Sequence, residues 1–341
     1  GNLTVSANAI EINAVADRLA GLFAQTDGKG KGGDLTVKAA ETLTLQGAII
    51  SASTFGDGDA GNLRVSARDI EMSGKVGLFT QTQGKGAAPE VGLFAQTDGK
   101  GNGGNLTVEV AESLTLHGNE VKVAISTITL GEGNAGDLRV SARDIEMSGK
   151  VGLFTQTQGK GNGGNLTVEV AESLTLQDRA TLSSNNYGQG NAGNLTVSAR
   201  DIEMSGKSGF FAQTQAGEGS ITINNNKDLI LRNNSRITTN ATGTATGGNI
   251  TIDTENLVAP NNSDISANAE KASGGKVDIT AAGIFGIKFR PEKTERSDIT
   301  VTSEFDRDGE VNINTPDVDP SDGLVEFEDT IPDISNLLDQ N

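Results

Sequence analysis

Few side chains in this chain are equipped for chemistry, and nearly all of them recur together with the text around them. GKGKGG from Gly28 and GKGNGG from Gly99 and Gly159 satisfy G-x-G-x-x-G. That dinucleotide fingerprint needs a following helix whose N-terminus receives the pyrophosphate. A strand pattern follows each copy here, so these read as structural turns. Gly206-Lys207-Ser208 matches the end of a phosphate loop, but Asp201 stands where the upstream glycine is required. FGDGDAGNL at Phe55 resembles one calcium-binding nonapeptide in which Asp57 and Asp59 would offer oxygens. Such sites need tandem copies that share ligands, and the equivalent corners hold Glu132 with Asn134, or residues 185–191, so a solvated turn is expected.

The carboxylate pairs Asp69 with Glu71 and Asp144 with Glu146 have the residue types of a glycoside-cleaving site. They return in successive copies, whereas an active site is one irregular place on a regular scaffold. His117, the only histidine, occupies a position held by Gln177 in a sister copy and reads as a polar corner. Met72, Met147 and Met204 recur at one place in a D-I-E-M segment and read as a stacked apolar layer. The Asn105-Leu106-Thr107 sequon falls out of the repeat itself. No catalytic, cofactor-binding or metal-ligating residue is expected, and no cofactor.

Composition narrows the partners. Lys and Arg number 27 against 45 Asp and Glu, a net charge of -18, which repels phosphate backbones and argues against nucleic acid. There is no cysteine, which removes disulfides, thiolate metal sites and cysteine nucleophiles, and fits either a cytosolic chain or one that crosses a bacterial envelope unfolded. No apolar run approaches the roughly 18 residues of a membrane span. Hydrophobic residues make up 35% and aromatics 4%, so the core must be thin layers of Leu, Val, Ile and Ala rather than one aromatic centre. The first residue falls inside a repeat, and any targeting segment is expected upstream.

The elements that must position these residues are strands. GNGGNLTVEVAESLTL at 161–176 returns letter for letter at 101–116. Leu166, Val168 and Val170 alternate with Thr167 and Glu169, the period of a strand. Aligned strand starts are Leu3, Leu35, Leu63, Leu106, Leu138, Leu166, Leu195, Ile221, Ile250, Val277 and Val311, mostly 26 to 34 residues apart. Each period divides into three strand candidates, best seen at 165–170, 173–177 and 180–184, and then at 194–199, 201–204 and 210–213. This predicts an all-β chain folded as a right-handed, single-stranded parallel β-helix with about three short strands per coil.

One coil cannot offset its own ordering entropy, so neighbouring coils must stabilise one another. Asn62, Asn105, Asn165, Asn194 and Asn249 are expected to stack as a ladder of amides, each after a glycine supplying positive φ. The long interval from Leu63 to Leu106 contains a tandem half-coil, and an irregular loop is expected near 87–101, around Ala87, Ala88 and Pro89. A smaller insertion falls at 119–123. The array is expected to span 1–315, with 316–341 an acidic tail or cap. Thirteen acidic residues from Asp298 to Asp339 face only Arg307, and Ile334, Leu337 and Leu338 behind Asp333 have the spacing of a short capped helix.

GNGGNLTVEVAESLTLQ, GNAGNLTVSARDIEMSG at Gly190, and the closing GIFGIKFR at Gly283 with SDITVTSEF and DGEVNINTPDVDPS resemble the repeat region of large exoproteins of the filamentous-haemagglutinin type. The likeness is to the cyanobacterial-type members exported by two-partner secretion. It implies a secreted or cell-surface β-helical adhesin, passed through an outer-membrane β-barrel transporter and contacting cell-surface glycans or proteins. With one histidine and no cysteine, a haem role is not carried over. The leading expectation is a stiff acidic rod, not an enzyme, whose outward rows such as Thr167, Glu169 and Thr175 make many weak contacts. The alternatives are a β-helical carbohydrate-active lyase or hydrolase, which would need a non-repeating cluster of Asp, Arg, Lys or His on one face, and a passive spacer.

Overall fold

The computed structural model describes residues 1–14, 20–74, 77–82 and 100–315. The expected loop around Ala87, Ala88 and Pro89, the 316–341 tail and the helix at Ile334, Leu337 and Leu338 lie outside them. Every described element is a strand, and every strand pairing is parallel: the chain is a parallel β-helix. In the best-preserved coil the strands are Leu166–Val170, Ser173–Gln177 and Thr181–Asn186. They lie on three successive faces. Four coils depart from three separate strands, because Ser113–Thr129 and Asp144–Thr157 run through the second corner without a break, and Asn249–Val258 and Lys276–Phe285 run through the first. The smaller insertion appears as a register shift between Gly118 and Val123.

Register follows the alternation. Leu3, Leu35, Leu63, Leu106, Leu138, Leu166, Leu195, Ile221, Ile250, Val277 and Val311 pair successively as one column. Those from Leu35 to Val277 are essentially solvent-free. Ile70, Leu114, Ile145, Leu174, Ile202 and Leu229 line the second face, and Ile125, Leu153, Leu182, Phe210, Ile237 and Ile265 the third. All belong to one continuous core. Because successive residues in a strand point to opposite faces, a one-residue slip would turn every one of these outward.

The turn from the third face back to the first is tied down by buried polar groups. Thr54, Thr129 and Thr157 have no exposed surface, and their hydroxyls donate to the carbonyls of Asp59, Asn134 and Asn162 at 2.9, 3.0 and 2.9 Å. In the next coil Asn186 takes the same column position and its amide donates to the Asn191 carbonyl at 2.9 Å. Each of these turn carbonyls also accepts a backbone N–H from the coil before, so the side chain fills its second acceptor position and ties the turn to the strand that precedes it.

The strand-start glycines are needed for closeness rather than for backbone sign. A Cβ built on Gly61, Gly104, Gly136 or Gly164 would lie between 1.9 and 2.1 Å from the carbonyl oxygen of the matching glycine one coil earlier. None has positive φ, contrary to the expectation from sequence. The left-handed glycines Gly47, Gly74, Gly149 and Gly206 sit instead at the corner after the second face.

Thr157→Val keeps the shape of the side chain but removes one of the two donors to the Asn162 carbonyl, leaving only the Ala135 N–H at 2.9 Å. It should lower stability by about 0.5–1.5 kcal/mol in urea unfolding, the worth of one hydrogen bond, whereas substitution of the outward Thr167 should change little.

Candidate functional site

The residues singled out by sequence are drawn into ladders that run from coil to coil. Asp59 Oδ1 accepts the backbone N–H of Asn102 at 2.7 Å, and Asn134 Oδ1 accepts that of Asn162 at 2.7 Å. Asn102 and Asn162 repeat the same step onto Asn134 and Asn191. Asp57 is exposed, and Glu132 pairs with Lys160 at 2.7 Å. Among the described residues no group of three or more His, Cys, Asp or Glu side chains is arranged to hold a metal ion.

The strand-start ladder exists, but its chemistry differs from stacked amides. Backbone N–H groups of Asp34, Asn62, Asn105, Asp137, Asn165 and Asn194 each donate to the side-chain oxygen of the residue one coil before. Asp34 and Asp137 serve as well as asparagine, since only an acceptor oxygen is needed. Asn249 does not join by side chain, because Ser220 precedes it and the Asn249 N–H goes to the Gly219 carbonyl. Asn105 of the sequon is one rung.

Asp69 and Asp144 accept the N–H and hydroxyl of Ser113 and Ser173, the hydroxyl bonds both 2.6 Å. The Ser113 hydroxyl, then Arg68, hold the Asp69 carboxyl below its ordinary range. Glu71 and Glu146 point outward and are exposed. His117 Nδ1 lies 2.7 Å from the Ser148 hydroxyl on an exposed corner. Met72, Met147 and Met204 are fully buried in the second-face core. Strands starting at Leu35, Leu106 and Leu166 follow the G-x-G-x-x-G turns. At 206–208, Gly206 and Lys207 form a left-handed corner and the Ser208 hydroxyl is turned inward onto the Ser205 carbonyl at 2.7 Å.

One cluster breaks the repetition, and sequence reading missed it. Asp264 and Asp298 stack in register near the end of the third face, 4% and 0% exposed. Arg290 forms an ion pair with Asp298 and also donates to the Ser297 carbonyl at 2.9 Å. Thr294 donates to Asp298 from both its N–H and its hydroxyl, the latter at 2.9 Å. Lys293 reaches Asp264 at 3.0 Å, and the Asp298 N–H donates to Asp264 Oδ1 at 3.2 Å. Aligning the third-face column Gly209, Arg236, Asp264, Asp298 would have exposed this irregularity. The basic partners come from 290–296, which no repeat covers.

The cluster fastens a strap. Ile287–Phe289 pairs with Ser297–Thr300 on the side away from Asp264–Ser266, so the chain covers an edge of its own third-face sheet. Burial pushes the Asp298 carboxyl up, but the bonds from Thr294 and Arg290 outweigh it and keep the group below its ordinary value. A carboxylate engaged by these donors is a clamp and a weak proton acceptor. Elsewhere, a shallow groove of about 550 Å³ crosses the corner between the first and second faces, with Glu169, Ser198, Arg200 and Asn224 on its rim.

Because the folded Asp298 pKa is lowered, the unfolded chain binds more protons as pH falls through the ordinary value of 3.8. The strap's share of stability is therefore full above that value and lost below it. Acid melting curves should show Asp298→Asn less stable than the parent at neutral pH, with the gap closing as the parent's carboxylate protonates. A gap that stays constant to strongly acid pH would count against the clamp.

Comparison with protein-family models, with curated proteins and with solved structures found no match for this chain.

Proposed function

We propose that this chain is a rod-like stretch of a secreted or cell-surface exoprotein of the filamentous-haemagglutinin type, serving attachment to cells, glycans or surfaces. Export would run through an outer-membrane β-barrel partner. The observation that carries the reading is the use made of the carboxylates and amides: Asp59, Asp69, Asp144 and the strand-start ladder bind the coils to one another. What is left for a partner is the outward surface. Its rows are mixed: Thr107, Arg139, Thr167 and Thr196 form one, and Glu109, Ser141, Glu169 and Ser198 the next. Threonine and serine side chains, interspersed with charged Arg139, Glu109 and Glu169 at the strand spacing of about 4.8 Å, offer many modest contacts to an extended partner such as a polysaccharide. Affinity would then come from the number of contacts along the rod.

The purified rod should be retained on beads bearing dense cell-surface glycans and scarcely by the same sugars displayed singly. Dense display should gain at least about tenfold in apparent affinity, with or without calcium. No retention on any surface would leave a passive spacer, and release of shortened glycan would mean a hydrolase or lyase.

A further inference from the structure

Two kinds of coil alternate along the central part of the rod. Coils built on L-x-V-S-A-R-D-I-E-M, starting at Leu63, Leu138 and Leu195, alternate with coils built on L-T-V-x-x-A-E-x-L-T-L, starting at Leu35, Leu106 and Leu166, the Leu195 coil closing the series. At the first corner this places Glu41, Arg68, Glu112, Arg143, Glu172 and Arg200 one above another through successive backbone hydrogen bonds. Arg68 pairs with Glu41, Arg143 with Glu112 at 3.1 Å, and Arg200 with Glu172. On the first face Arg64 meets Glu109 at 2.7 Å and Arg139 meets Glu169 at 2.5 Å.

The turn before each first-face strand alternates independently. The glycines flanking Lys29, Asp57, Lys100, Glu132 and Lys160 stack from coil to coil, so these side chains share one column. Glu132 is held below its ordinary range by Lys160, with a further contribution from Lys100 on its other side. On the second face Thr44, Glu71, Thr115, Glu146, Thr175 and Glu203 follow the same two-coil beat.

We infer that the unit of stacking is a pair of coils, and that the outward charges keep a coil from docking onto the next but one. Leu and Val occupy the first two inner positions of the first face in both coil types. Further along, Val110 and Val170 alternate with Ala67 and Ala142, and Leu pairs alternate with Ile–Met on the second face, differences of a few methyl groups that add to the beat but, unlike the charges, do not respond to salt. A chain that repeats 101–116 exactly at 161–176 is exposed to skipping a coil as it folds. Skipping one would set Arg143 on Arg200 or Glu112 on Glu172, whereas skipping two would restore opposite charges. Each pair is exposed and weak alone, but the same sign rule holds at two corners and across one face. Specificity of this kind comes from the penalty on the wrong partner.

Deletion of residues 166–194 removes one coil and brings Arg143 onto Arg200; deletion of 138–194 removes two and brings Glu112 onto Arg200. The two-coil deletion, although it leaves the shorter chain, should melt higher than the one-coil deletion, and molar salt should narrow the gap, since screening weakens exposed charge contacts. Arg200→Glu should raise the melting temperature of the one-coil deletion and lower that of the intact chain. Should the one-coil deletion not fold, the intact chain decides: Glu172→Arg, which sets two like pairs at once, should lower its melting temperature, and adding Arg143→Glu with Arg200→Glu, which leaves only Glu112 facing a like charge, should recover part of the loss. A one-coil deletion at least as stable as the two-coil deletion, or a triple reversal less stable than Glu172→Arg alone, would overturn the inference.

Discussion

Each coil of this protein completes its backbone hydrogen bonds only by lying on another coil, and that dependence governs nearly everything else in the chain. Strands stacked in parallel and in register put each residue over its counterpart at about 4.8 Å. Apolar columns result where the counterpart is Leu, Val or Ile, and nothing wider than a hydrogen fits where turns close up, as at Gly104 and Gly136. The main core is therefore thin and continuous, with Phe210 at the third face as its one aromatic among the described residues, while Phe154 packs with Ile128 and Leu130 in a smaller separate cluster.

In-register stacking also decides what becomes of polar side chains. A carboxylate or amide at a corner finds a backbone N–H of the next coil within reach, and it is used there: Asp34, Asp59 and Asp137 are rungs. A threonine facing the interior at Thr54, Thr129 or Thr157 closes the turn that follows it. The same geometry makes uniform charge costly, because like would lie on like all along the rod. Alternating Glu and Arg through Glu112, Arg143, Glu172 and Arg200 relieves this. The strap at 287–296 follows a different rule. Buried carboxylates there meet cations from outside the repeat, Arg290 and Lys293, and a sheet edge that would otherwise invite another strand is covered.

Much of the architecture was legible in the chain because alternation has a period of two and the repeat supplies its own alignment. The anchors from Leu3 to Val311 form the column that their spacing implied, and Asn194–Ala199 and Asp201–Met204 have the expected bounds. The strand-start ladder was legible as a row but not as a set of bonds, since letters do not say whether an Asn meets a side chain or a backbone N–H. The role assigned to the strand-start glycines failed for a similar reason: close approach and positive φ favour the same residue. The two-coil beat was present in the text but hidden by aligning every coil on its apolar–polar alternation, which both coil types share.

Sequence by itself determined the strand period, the coil repeat and the identity of the inward columns, because these depend on local alternation and on copies that align with one another. Only the tertiary structure decided which charges meet, that Thr157 is buried on a carbonyl, and that Asp264 and Asp298 share a clamp with Arg290, Lys293 and Thr294. Those contacts join residues from different coils, or from a strap without a repeat partner. Their partners are set by which backbone lies above which, a relation that no single coil's text contains.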